Sequence, residues 1–192
     1  MVVAELPDGA AWRHVGVRDG FEVAFFRAEA GGYVLDGQTC AVEDGVAWAV
    51  HYRVLVDAAW GTRGARVTSR SPAGERTVAI DRAGDGGWLV DAVPVRELTG
   101  CLDVDLEASV VTNTVPVHRL GLDAGASAQA PAVFVRADLT VERLDQRYAR
   151  VSDDGAGQAY DYEAPRFGYR GRLEYDASGL LLRYPGLAER VL

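Results

Sequence analysis

Residues 48–57, WAVHYRVLVD, carry the pattern that decides the fold. Trp48, Val50, Tyr52, Val54 and Val56 alternate with Ala49, His51, Arg53, Leu55 and Asp57. Strand side chains point to opposite faces with a period of two, so this run reads as a β-strand with one apolar face. The same pattern extends upstream. Glu43-Asp44-Gly45 is a hairpin signal, and residues 33–42 form a strand that Asp36-Gly37 interrupts. Gly31-Gly32 turns the chain back into residues 21–28, where Phe21, Val23 and Phe25 share a face. A first strand opens at Ala10 and holds Trp12 and His14. Downstream, Pro72-Ala73-Gly74 separates strands over 66–71 and 76–82, and a glycine-rich turn over 84–87 leads into residues 88–91.

Beyond a short helical turn at 94–98 and the segment around 100–120, residues 124–131 read as a small-residue loop. Residues 133–141 alternate again as one strand, 152–157 form a loop, and 160–164 a short strand. Phe167, Tyr169, Leu173 and Tyr175 lead to a turn at 176–179. Leu180, Leu182 and Tyr184 return, and Pro185-Gly186 ends the ladder before a terminal turn. Turn signals recur at roughly 8–12-residue intervals and no segment supports a long helix, which predicts antiparallel strands in a barrel, roll or sandwich. The expectation is one all-β domain over residues 1–192 with little helix.

Composition narrows the function classes. At 192 residues, with 48% apolar and 25% charged residues, the chain can bury a core without staples. A net charge of −8 and a pI near 4.9 disfavour a phosphate-tracking surface, so no nucleic-acid partner is expected. Every basic residue other than histidine is arginine, which excludes a P-loop or Schiff-base lysine. Cys40 and Cys101 read as reduced thiols. The amino terminus shows no leader pattern, and no apolar run approaches the roughly 20 residues of a spanning helix. The expected location is cytoplasmic.

Polar residues crowd the stretch 100–120, GCLDVDLEASVVTNTVPVHRL. As a strand it points Cys101, Asp103 and Asp105 to one face and Val104 and Leu106 to the other. Asn113 and Thr114 read as a turn, and Pro116 as an edge or bulge. Asp103, Asp105 and His118 allow one catalytic reading, a small hydrolase or isomerase, if the three converge. Against it stands ion pairing of the aspartates with Arg63 or Arg119, which would make the segment a structural or dimerising module. The scattered His14, His51 and His118 match no metal spacing, and no nucleophile elbow or phosphate cradle is present, so neither metal nor cofactor is expected. The aromatic residues, including Trp12, Trp48, Trp60 and Trp88, suit either core packing or a cavity floor. Arg63, Asn113, Arg119, Gln146 and Tyr148 would be its polar anchors.

The order of these motifs resembles a known family. Asp57-x-x-Trp60-x-Thr62-Arg63 is followed by Gly-x-Trp88 and by Gly100-Cys101-Leu102-Asp103-Val104-Asp105-Leu106. Then come Thr112-Asn113-Thr114-Val115-Pro116-Val117-His118-Arg119-Leu120, Gln146-x-Tyr148 and Gly179-Leu180-x-x-x-Tyr184-Pro185-Gly186. Together they are similar to the bacterial proteins grouped as putative glycolipid-binding, formerly a domain of unknown function. The resemblance implies a spiral β-roll or partly open barrel that binds an amphipathic ligand, such as a glycolipid, without catalysis. The residues expected at the ligand are Arg63, Asp103, Asn113, Arg119, Gln146 and Tyr148, with Trp60. His118 stands where the family pattern leads one to expect a basic residue, which makes the charge there depend on pH.

Overall fold

Hairpins built on short turns dominate the first half of the chain. The computed structural model describes residues 5–151 and 157–191. In it β1 (Gly9–His14), β2 (Asp19–Glu29), β3 (Gly32–Glu43), β4 (Val46–Asp57), β5 (Thr62–Ser71), β6 (Gly74–Arg82), β7 (Trp88–Val90) and β8 (Val93–Pro94) pair in succession, all antiparallel. The 48–57 alternation lands as expected, with Val50, Tyr52, Val54 and Val56 buried and His51, Arg53 and Leu55 exposed. Strand β3 runs through Asp36-Gly37 without a break. Gly37 is needed there for space, since a Cβ would lie 2.2 Å from the Tyr52 hydroxyl oxygen. Phe21, Val23 and Phe25 do share a face, but it is the outer one. The inner face of β2 carries Glu22, Ala24 and Phe26.

The second half departs further from expectation. Strand β9 (Asp103–Leu106) is followed by a 3-10 turn (Val111–Asn113) and the helix α1 (Thr114–Leu120), where a turn and an edge were expected. Pro116 fits because it lies in the first helical turn, where its missing N–H removes no helix bond. Next come β10 (Ser127–Gln129), inside the expected loop, β11 (Ala132–Val135) and β12 (Val141–Leu144). The 133–141 alternation is thus a hairpin and not one strand. It turns at Arg136 to Thr140, where Leu139 has φ 67° and the Asp138 carboxylate accepts from the Thr140 N–H.

Strands β13 (Arg147–Arg150), β14 (Gln158–Ala164), β15 (Tyr169–Tyr175), β16 (Leu181–Tyr184) and β17 (Ala188–Val191) complete the chain. The loop expected at 152–157 lies, over 152–156, outside the described residues. The terminal segment is a strand and not a turn, and it pairs with β1. That pairing joins the two halves into a 14-stranded antiparallel sheet in the order β10-β13-β14-β15-β16-β17-β1-β2-β3-β4-β5-β6-β7-β8. The Trp12 indole N–H reinforces the joint by donating to the Leu181 carbonyl at 2.7 Å.

A small sheet, β12-β11-β9, completes the core; its β9–β11 pair is parallel. All four residues of β9 and of β11 are buried, as strands covered on both faces must be. The large sheet therefore wraps around the small one and α1 in a partly open roll. Strands β10 and β8 end that sheet.

Candidate functional site

The polar motifs converge on the segment that the roll encloses. Asp57 Oδ1 accepts from the backbone N–H groups of Ala59 and Gly61, both at 2.9 Å, and so shapes the turn that carries Trp60. Trp60 lies between Tyr33 and His118, 3.8 Å from the His118 ring centroid at an interplanar angle of 11°. Two residues on, Thr62 grips β9: its N–H donates to the Leu102 carbonyl at 2.9 Å, and its hydroxyl oxygen accepts from the Val104 N–H at 3.2 Å. Arg63, next in sequence, points outward on β5 and is exposed.

Beneath these contacts Arg119 clamps Asp103 with two bonds, Nε to Oδ1 at 2.7 Å and Nη2 to Oδ2 at 2.6 Å. Asp103 is fully buried, and the Arg119 side chain is 15% exposed. Burial raises the Asp103 pKa, while the Arg119 hydrogen bonds and charge pull it back down. Against the cost of its own burial, Arg119 is held above its ordinary value by the Asp103 carboxylate. A bidentate guanidinium–carboxylate contact of this length is an ion pair. Asn113 Nδ2 donates to the Tyr148 hydroxyl at 3.0 Å, and the Tyr162 hydroxyl donates to Gln146 Oε1 at 2.7 Å. The Asn113 bond ties the inserted segment to a cluster of tyrosines from β13, β14, β15 and β16 whose rings meet edge-to-face or tilted.

The three residues of the catalytic reading do not meet. Asp103 is committed to Arg119. Asp105 Oδ1 accepts from the Thr112 hydroxyl at 2.8 Å. His118 is stacked on Trp60 and abuts Gly179, where a Cβ would lie 2.6 Å from Nε2. Burial lowers the His118 pKa to about 4, so it holds no charge for a head group at neutral pH. Among the described residues no three His, Cys, Asp or Glu side chains cluster as metal ligands.

Beside the clamp lies a cavity of about 320 Å³. Its apolar wall includes Leu106, Val110, Phe134, Leu144, Ala164 and Leu187, and the exposed Val17 and Phe167 mark its rim. Tyr162, Tyr169 and Tyr184 also line it. Asp105, Asn113, His14 and Arg18 bring polar groups into a mostly apolar lining, the make-up of a small-molecule site. Burial raises the Asp105 pKa to about 6, the Thr112 bond opposing it. The wall segment around Ser109 is fixed from outside by the wholly buried Glu22. Its carboxylate accepts from the Tyr52 hydroxyl at 2.6 Å, from the Val110 N–H at 2.9 Å and from the Ser109 hydroxyl.

Of the seven residues expected at the ligand, Asn113 alone lines this cavity. Tyr148 and Gln146 bond to the lining residues Asn113 and Tyr162, Asp103 and Arg119 bond to each other, Trp60 stacks on Tyr33 and His118, and Arg63 is exposed on β5. Arg18 and the apolar wall line the cavity without having been expected at the ligand, and Asp105 was expected only in the catalytic reading. Asp105 carried a signal, since it shares a strand face with Asp103. Arg18 carried none, lying in a polar turn between two strands.

The family whose description is "Putative glycolipid-binding" matches residues 9–190. A DUF1089 family protein of Pseudomonas aeruginosa, solved by crystallography, is 28% identical with a TM-score of 0.77; the match covers 100% of this chain and 97% of that one. A β-barrel-like protein of domain of unknown function DUF1849 from Brucella abortus matches at 13% identity and TM-score 0.55. There the match covers 98% of this chain and 96% of that one, and it speaks to the fold alone. Among curated proteins no sequence matches.

Proposed function

The chain belongs to the "Putative glycolipid-binding" family, and on that footing we propose that it binds an amphipathic, sugar-bearing molecule in the cavity beside β9, without transforming it. The observation that carries this reading is the cavity wall itself. Asp105 has a carboxylate oxygen beyond the one bound by Thr112, Asn113 has a carboxamide, and three tyrosines line the same wall. Sugar hydroxyls need such acceptors and donors, and a sugar's C–H faces pack on aromatic rings. At about 320 Å³ the cavity lies near the lower end of ligand pockets. It therefore takes a head group and the first carbons of a chain, which leaves past Val17 and Phe167.

In this reading Tyr148 holds Asn113, Arg119 ties α1 to Asp103 of β9, Gln146 holds Tyr162, Trp60 packs on His118 of α1, and Arg63 has no contact with the head group. Residues 1–192 act as one unit, a reading supported by the pairing of β1 with β17.

The test is native mass spectrometry with octyl glucoside. One molecule per chain is expected on the wild-type protein. None is expected on Ala164→Phe, which fills the cavity from the end of β14, provided circular dichroism shows that variant folded. No adduct on the wild type, or equal adducts on both proteins, would overturn the reading.

A further inference from the structure

Arg18 is the cavity residue whose chemistry the sugar reading leaves unused. Its guanidinium lies 5.3 Å over the Trp48 ring, and Nη2 donates to the Glu107 carbonyl at 3.0 Å. Arg18 is 8% exposed, yet Nε and Nη1 reach no hydrogen-bond partner among the described residues. Beside it His14 is 4% exposed, and neither of its ring nitrogens finds a partner of normal geometry among those residues. Both side chains line the cavity. Buried polar groups are nearly always satisfied, and a guanidinium cannot shed its charge to escape the cost.

The carboxylates of the wall do not discharge Arg18. Glu107 turns its own away, accepting from the Ala137 N–H at 2.8 Å and lying 3.9 Å from Arg136. Asp105 accepts the Thr112 hydroxyl on Oδ1 and forms no ion pair with Arg18. Glu43 is half-buried in the wall, and among the described residues no carboxylate forms an ion pair with Arg18. Burial, with the adjacent Arg18 charge, lowers the His14 pKa to about 4; the Leu187 backbone opposes this. His14 is thus a neutral ring with one N–H to donate at neutral pH.

We infer that the Arg18–His14 corner is a subsite for an oxyanion, phosphoryl or carboxylate, carried by the same amphipathic ligand. The inference rests on the amphiphile reading above and narrows its ligand to an anionic one. Free guanidinium N–H groups and an imidazole N–H in a water-poor wall are the donors that such a group requires. Stacking on Trp48 and the bond to the Glu107 carbonyl hold the guanidinium in place for it.

The experiment compares octyl phosphate, octyl glucoside and inorganic phosphate on wild-type and Arg18→Gln proteins by calorimetry, with thermal melts to check folding. The readout is the affinity ratio of octyl phosphate to octyl glucoside. It is expected to fall about 10- to 100-fold in Arg18→Gln, the worth of a hydrogen bond to a charged group. His14→Leu should lower the ratio in the same direction and serves if Arg18→Gln does not fold.

An unchanged ratio in a folded variant would overturn the inference. So would a wild-type protein that takes octyl glucoside and ignores octyl phosphate, although the amphiphile reading would then survive. Arg18-dependent uptake of octyl phosphate without any of octyl glucoside would uphold the subsite and sink the sugar reading. Inorganic phosphate binding as tightly as octyl phosphate would overturn the amphiphilic source of the anion.

Discussion

Replacing Arg119 by methionine separates a bracing role from a ligand contact. Methionine keeps much of the apolar stem but removes both bonds to Asp103, leaving a fully buried carboxylate without its cation. Breaking a buried pair from one side costs about 3–5 kcal/mol. For a chain of this length each kcal/mol lowers the melting temperature by about 2–4 °C, so the expected drop is about 6–20 °C. The loss should depend on pH. Burial favours the protonated carboxyl, and without Arg119 nothing opposes it. The variant is therefore penalised most at high pH and recovers as pH falls through the raised Asp103 value.

Thermal melts at pH 5 and pH 8 measure both effects. Urea unfolding of the double variant Asp103→Leu/Arg119→Met checks the cause, because removing both charges should restore most of the stability. A single variant that melts with the wild type refutes the bracing role. If that variant also loses octyl glucoside, Arg119 is a ligand contact instead.

Asp105→Asn should steepen the acid sensitivity of folding. Asp105, raised from 3.8 to about 6, gives stability that is full below pH 4 and is lost as pH rises to 6, about 3 kcal/mol in all. His14 and His118, lowered from 6.5 to about 4, give stability present above pH 6.5 and lost as pH falls toward 4. The two slopes oppose in the wild type, so melting temperatures of the variant should fall faster between pH 6.5 and 4; parallel curves would contradict this. Tyr52→Phe removes one donor from the buried Glu22 carboxylate and should cost about 1–3 kcal/mol in urea unfolding. Gly179→Ala sets a Cβ against His118 at a residue with φ 74°; it should cost about 1–3 kcal/mol and alter the near-ultraviolet dichroism of Trp60.

Strand content was legible because alternation and turn residues are local, as in β4 and the Asp44-Gly45 turn. Helix α1 was not, since β-branched valines and Pro116 argue locally against it and burial of Val115 and Val117 holds it. The hairpin hidden in residues 133–141 lacks glycine or proline at its turn, so its alternation reads as continuous. The β1–β17 pairing joins opposite ends of the chain and leaves no local mark. Within the site, the crowded polar residues at 103–119 did signal a special place. Crowding, however, marked the brace more than the cavity. Asp103 and Arg119 consume one another, whereas Arg18 and His14 come together only through the turn between β1 and β2.

Ligand binding is tested most directly by mass spectrometry of the protein taken intact from its native cells, followed by extraction and identification of bound lipid. About one amphiphile with a sugar head group is expected per wild-type chain, and none on folded Ala164→Phe. Wild-type chains that carry no lipid, or variant chains that carry as much as the wild type, would contradict it.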